Sequence, residues 1–104
     1  MKIFIIDFST DQSFKNNFPK DYQIFEEKFD GSNAYKLVGE VLPEKIFINY
    51  HIKPSHGRQT AMAIKNRKKT SNIPIYFVDG SEIENTKVQN IGLCIKTKNI
   101  DEYI

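Results

Sequence analysis

The sequence predicts an open sheet of parallel strands covered by helices on both faces, an α/β fold in one domain. Three observations carry this. Short runs of β-branched and aromatic residues recur without polar alternation, as in strands buried on both faces: "KIFII" at 2–6, "KIFIN" at 45–49 and "IPIYFV" at 73–78. Segments with apolar residues at helical spacing separate those runs. The 104 residues, 39% of them apolar, suffice for one core, and no Pro-, Gly- or Ser-rich linker divides residues 1–104.

The elements follow in order. "KIFII" is the first strand, and "STDQSFKNNFPKD" after it predicts a short helix with a Ser/Thr cap, Phe14 and Phe18 on one face and Pro19 as its stop. "YQIF" at 22–25 is a weaker second strand. Asp30, Gly31 and Ser32 open a helix carrying Ala34, Leu37, Val38 and Val41. "KIFIN" is the third strand, and "GRQTAMAIKNRKK" (57–69) predicts a helix with Ala61 and Ile64 on one face and a basic last turn that suits the helix dipole. The fourth strand lies in 73–78, entered through Pro74, where a missing N–H does little harm. Residues 81–91 can be helical through Ile83, Val88 and Ile91, with Gly92 as a stop, and "LCI" (93–95) is the fifth strand, extendable to Thr97.

Composition excludes several function classes. A net charge of +2 creates no global field that compels binding to nucleic acid or membrane. Cys94 is the only cysteine, so an intrachain disulfide and a thiolate metal cluster are ruled out, and its expected role is a small apolar filler. The apolar start "MKIFIIDFS" is broken by Asp7, far short of a signal h-region or a membrane span, which predicts a cytoplasmic protein.

Open parallel sheets bind ligands beyond the carboxyl ends of their strands. Those ends bring together Asp7 with Phe8, Asn49 with Tyr50, Asp79 with Gly80, and Lys96 or Lys98.

The stretch "PEKIFINYHIKPSHGRQTAMAIKNRKKTSNIPIYFVDG" (43–80) resembles, without a gap, the central part of the receiver domain of bacterial response regulators, and "FDGSNAYKLVGEVLPEK" resembles that family's second helix. The resemblance runs through most of the chain and, with the alternation, implies a flavodoxin-like sheet of order 2-1-3-4-5. "NIDEYI" leaves a turn or two for the family's fifth helix, so that helix is expected to be truncated or absent.

Carried over position by position, the resemblance implies a disabled site. Receivers hold Mg²⁺ with two adjacent acids after the first strand, and those places are Asp7 and Phe8. The phospho-accepting aspartate falls on Asn49, whose amide is neither an anionic nucleophile nor a good ligand for a hard cation. The hydroxyl residue after the fourth strand is Asp79, whose charge would repel phosphate. The family's lysine is assigned to Lys98, with Lys96 as the alternative, and Asn99 in the place of the following proline predicts an ordinary trans peptide bond.

Asp7, Asp79 and Lys98 are expected to satisfy one another as a salt-bridge cluster, Lys98 pairing with Asp79 or Asp7, rather than to hold a cation. His51 and His56 lack partners at a metal-ligand spacing and read as surface or loop-packing residues. Tyr50, Phe8 and Tyr76 form either an aromatic contact surface or filling where a metal site is gone, with plain core as a further reading of Tyr76. The expected function is a phosphorylation-independent pseudo-receiver, not an enzyme and without metal or cofactor, that binds a protein partner in bacterial signalling or regulation. The alternative is a small basic α/β protein binding nucleic acid through Arg58, Lys65, Arg67, Lys68 and Lys69, a stretch that reads first as a solvated helix end.

Overall fold

The computed structural model describes all of residues 1–104. Five strands, β1 (Lys2–Ile6), β2 (Gln23–Glu27), β3 (Lys45–Asn49), β4 (Ile75–Val78) and β5 (Leu93–Ile95), form one sheet. Its order is β2-β1-β3-β4-β5 and every pairing is parallel, a receiver-like, flavodoxin-like topology. The doubly apolar runs explain it: successive side chains alternate in face, so Phe4, Ile6, Ile46, Ile48, Ile75 and Phe77 pack on one side. Ile3, Ile5, Phe47, Val78 and Ile95 pack on the other.

Helices cover the first face. α1 (Gly31–Val41) begins where the Asp30 carboxylate accepts the Ser32 N–H at 2.9 Å, and ends at Leu42, which turns left-handed (φ 49°) ahead of Pro43. Ala34 and Val38 are its buried stripe. α2 (Pro54–Asn66) buries Ala61 and Ile64 against the same core. It starts three residues before the expected Gly57, because Pro54 takes the first helical position, where its missing N–H is not needed. Gly57 is therefore inside the helix rather than at its start, and a Cβ there would press on Ile48 Cγ2 at 3.0 Å.

The second face differs from expectation. The helix predicted after β1 is only a 3-10 turn (Phe14–Asn17), although Phe14 and Phe18 are buried as anticipated. Side chains compete with the helix there: Asp11 accepts from the Ser13 N–H and hydroxyl at 2.9 Å, and the Asn17 amide donates to the Phe14 carbonyl at 3.0 Å. Another 3-10 turn (Thr97–Glu102), anchored by buried Ile100, stands where a fifth helix would be. On the first face, the helix expected over 81–91 is shortened to α3 (Glu82–Thr86), because Thr86 donates back to the Ile83 carbonyl at 2.6 Å and ends the ladder. Val88 still reaches the core, and Gly92 lies so close to the Ile75 carbonyl that a Cβ would collide with it. No peptide bond is cis, and no helix is long and apolar enough to cross a membrane.

Candidate functional site

Register builds the site. Ile6 of β1 pairs with Glu27 on one side and Ile48 on the other, so the next residues, Asp7, Lys28 and Asn49, form a row across the carboxyl ends of three strands. The Asp7 side chain is fully buried at the centre of that row. Its Oδ1 accepts from Asn49 Nδ2 at 3.0 Å and from the Ser9 N–H at 3.1 Å, and its Oδ2 accepts from Lys28 Nζ at 2.9 Å. Burial alone would push the Asp7 carboxyl up, but the bonds from Asn49, Lys28 and Ser9 together outweigh it and hold the group below the ordinary carboxylate range.

Lys28 is itself fixed. Its ammonium also donates to the Asp11 carbonyl at 2.9 Å, and its side chain is only 10% exposed. Next to it, buried Glu27 accepts from the N–H groups of Phe29 and Asp30 at 3.0 and 3.1 Å and from the Asn33 amide, tying the end of β2 to the start of α1. The row opens on a cleft of about 410 Å³ lined in part by Ser9, Asp11, Asn49, His51, Asp79 and Thr97.

The strand ends do not form the expected salt-bridge cluster. Asp79, exposed and left-handed (φ 62°), accepts from the Thr97 N–H at 2.9 Å and from the Thr97 hydroxyl at 2.5 Å. A short acidic side chain tolerates that conformation, and the two bonds fasten the end of β4 to the exit of β5. Lys98 therefore pairs with neither Asp79 nor Asp7: the first is taken by Thr97, the second by Lys28. Lys96 and Lys98 are both exposed and line another cleft, of about 360 Å³, with Gly80, Asn85, Cys94 and Asn99.

A metal does not fit these residues. Phe8, in the place of the second acid, is 5% exposed in the helix-covered core, edge-on to His56 with ring centroids 5.6 Å apart. Both oxygens of Asp7 already have donors, one of them a full cation. No three His, Cys, Asp or Glu side chains converge as an ion site. Burial pushes the Cys94 thiol up, away from the reactive thiolate.

The aromatic and basic candidates are mostly internal. Tyr50 is 1% exposed, packs on Phe77 and donates to the Glu84 carbonyl at 3.0 Å, so it and buried Phe8 are core, while half-buried Tyr76 stacks on Phe47. Arg58 donates to the Tyr50 hydroxyl at 3.2 Å and to the Glu84 carboxylate at 3.1 Å. Arg67 donates to the Tyr35 carbonyl at 3.2 Å with its guanidinium 4.6 Å above the Tyr35 ring, in a slot that a Cβ at Gly39 would close. That leaves half-buried Lys65 and exposed Lys68 and Lys69, of which the last two lie beyond the end of α2.

Sequence reading missed Lys28, Ser9 and Thr97. Lys28 directly follows β2 beside Asp7, but the expected second strand ended at Phe25, three residues short of it.

No family model matches the sequence, and no curated protein does. Solved structures do share the fold. The N-terminal domain of a response regulator receiver protein from Methanoculleus marisnigri superposes with a TM-score of 0.69 at 18% identity, over 98% of this chain and 89% of its own. A fusion carrying a yeast Spc42 trimeric coiled-coil segment gives a TM-score of 0.68 at 20% identity, over 92% of this chain and 67% of its own. The chain has a receiver-like fold.

Proposed function

We propose that this chain is a receiver-like module that does not switch by phosphorylation and acts by presenting a fixed surface to a protein partner in signalling or regulation. One observation carries the reading: the acidic centre of the strand-end row is closed from within. Asn49, at the acceptor place, donates its amide to Asp7, and the Lys28 ammonium caps the other Asp7 oxygen. Lys28 thus acts as a tethered cation on a carboxylate whose receiver counterparts face Mg²⁺. Without a carboxylate at residue 49 there is no nucleophile for an acyl-phosphate to form on. The Asp79 to Thr97 clasp and the Tyr50, Arg58 and Glu84 network further support a single conformation, since they tie β4, α2, α3 and the exit of β5 together. The nucleic-acid reading is weaker, because Arg58 and Arg67 are engaged inside the protein.

The test is intact mass after incubation with acetyl phosphate and Mg²⁺. An unmodified mass is expected, and a phosphoryl adduct would overturn the reading. Calorimetric titration with Mg²⁺ should give no more heat than a generic surface carboxylate does, and stoichiometric micromolar binding would contradict it.

A further inference from the structure

The two faces of the sheet are covered unequally. α1 and α2 lie over one face, whereas two 3-10 turns and the side chains they carry are the cover of the other. In β-α-β crossovers the connecting helix buries the sheet face beside its strands, and a four-residue turn between β1 and β2 is too short to do so. The consequence is a cleft of about 620 Å³ between that turn and edge strand β2, lined by Lys15, Asn16, Phe18, Lys20, Tyr22 and Ile24.

The lining has a clear division. Phe18, Tyr22 and Ile24 belong to the second-face core, and Tyr22 and Ile24 are left half-buried. Lys15 and Lys20 are exposed, make no salt bridge, and are the lining's only charged residues. Asp21 and Glu26, close by in sequence, are not part of the lining.

We propose that this cleft docks an amphipathic helix of a protein partner, one that carries carboxylates along the margins of its apolar stripe. Such a helix supplies the layer that the short turn leaves incomplete: its i, i+3, i+4 and i+7 side chains fill the space over Phe18, Tyr22 and Ile24. A helix suits the cleft because its apolar lining, Phe18, Tyr22 and Ile24, belongs to the second-face core, so an apolar helical stripe meets side chains of that core. Acidic margins match the two unpaired ammonium groups and steer the encounter. The inference rests on the reading of the chain as an interaction module and names the class of partner.

The experiment uses the whole chain and a fluorescein-labelled designed helix about five turns long, with leucines at i, i+3, i+4 and i+7 and glutamates beside them. A second peptide has lysine at every glutamate position. Fluorescence anisotropy should show saturable binding of the acidic peptide, and ¹H–¹⁵N spectra should shift mainly at residues 15–24. Lys15→Glu with Lys20→Glu, both at exposed positions, should keep the native melting temperature and weaken binding by about tenfold or more. Absence of binding, equal binding of the lysine peptide, or shifts elsewhere would each overturn the proposal. So would self-association of the protein, or binding to phosphatidylserine vesicles in place of the peptide, through residues 15–24. Failure here leaves the acyl-phosphate result of the wild type untouched, so the two readings fall separately.

Discussion

At the scale of single residues, the structure turns on the Asp7 carboxylate. A buried anion survives only when donors replace the water it has lost, and Asp7 has donors from three directions, Asn49, Ser9 and Lys28. Lys28→Met removes the only cation and leaves the charge uncompensated, so it should destabilise the fold by roughly 3–5 kcal/mol, measured by urea unfolding at neutral pH. Lys28→Met combined with Asp7→Asn should recover part of that loss, because no charge is then stranded, and strict additivity would show that the pair does not interact. The sign of the pH dependence follows from the depressed Asp7 carboxyl. Between its folded and unfolded pKa values the unfolded chain binds more protons, so stability is complete above the unfolded value of about 3.9 and is lost as pH falls through the lower folded value. In Lys28→Met the acid limb should move to higher pH. Asp7 and Asn49 were legible in the sequence because Asp7 directly follows one strongly apolar strand and Asn49 ends another. Lys28 was not, since its strand, "QIFEE", is a weak signal and its neighbour relation to Asp7 exists only through pairing register.

At the scale of elements, the strands were legible and the connections less so. Strands with uninterrupted branched and aromatic residues have one stable use, burial on both faces, and β1, β3 and β4 take it. The turn at Phe14–Asn17 and the short α3 escaped because periodicity reports where apolar residues face, not whether Asp11, Asn17 and Thr86 divert backbone hydrogen bonds. The Tyr50 hydroxyl is the joint between elements, accepting from Arg58 and donating to the Glu84 carbonyl. Tyr50→Phe keeps the ring on Phe77 but removes both bonds, so it should cost about 1–2 kcal/mol and speed amide exchange in α3 more than in β3. Gly80→Ala would drive a methyl group into the Tyr50 ring and the Asn85 amide, and should lower stability by about 1–3 kcal/mol in thermal melts. Unchanged melting would mean that this joint is loose.

At the scale of the whole molecule, five parallel strands fix where chemistry could occur, and the side chains at that place are the ground for the proposal that the chain does not switch by phosphorylation. The topology was legible because alternation, chain length and crossover handedness leave few arrangements open. The arrangement at the strand ends was only half legible: the amide at the place that corresponds to a receiver's acceptor is written at Asn49, but the internal partners are Lys28 and Thr97 and not the expected Lys98. If closure depends on Lys28 as much as on Asn49, giving back the carboxylate alone does not restore the chemistry, because the ammonium still holds the Asp7 oxygen a metal would need. The most direct test is therefore intact-mass spectrometry of Asn49→Asp after incubation with acetyl phosphate and Mg²⁺. The account predicts an unmodified protein, and one phosphoryl group on residue 49 would contradict it.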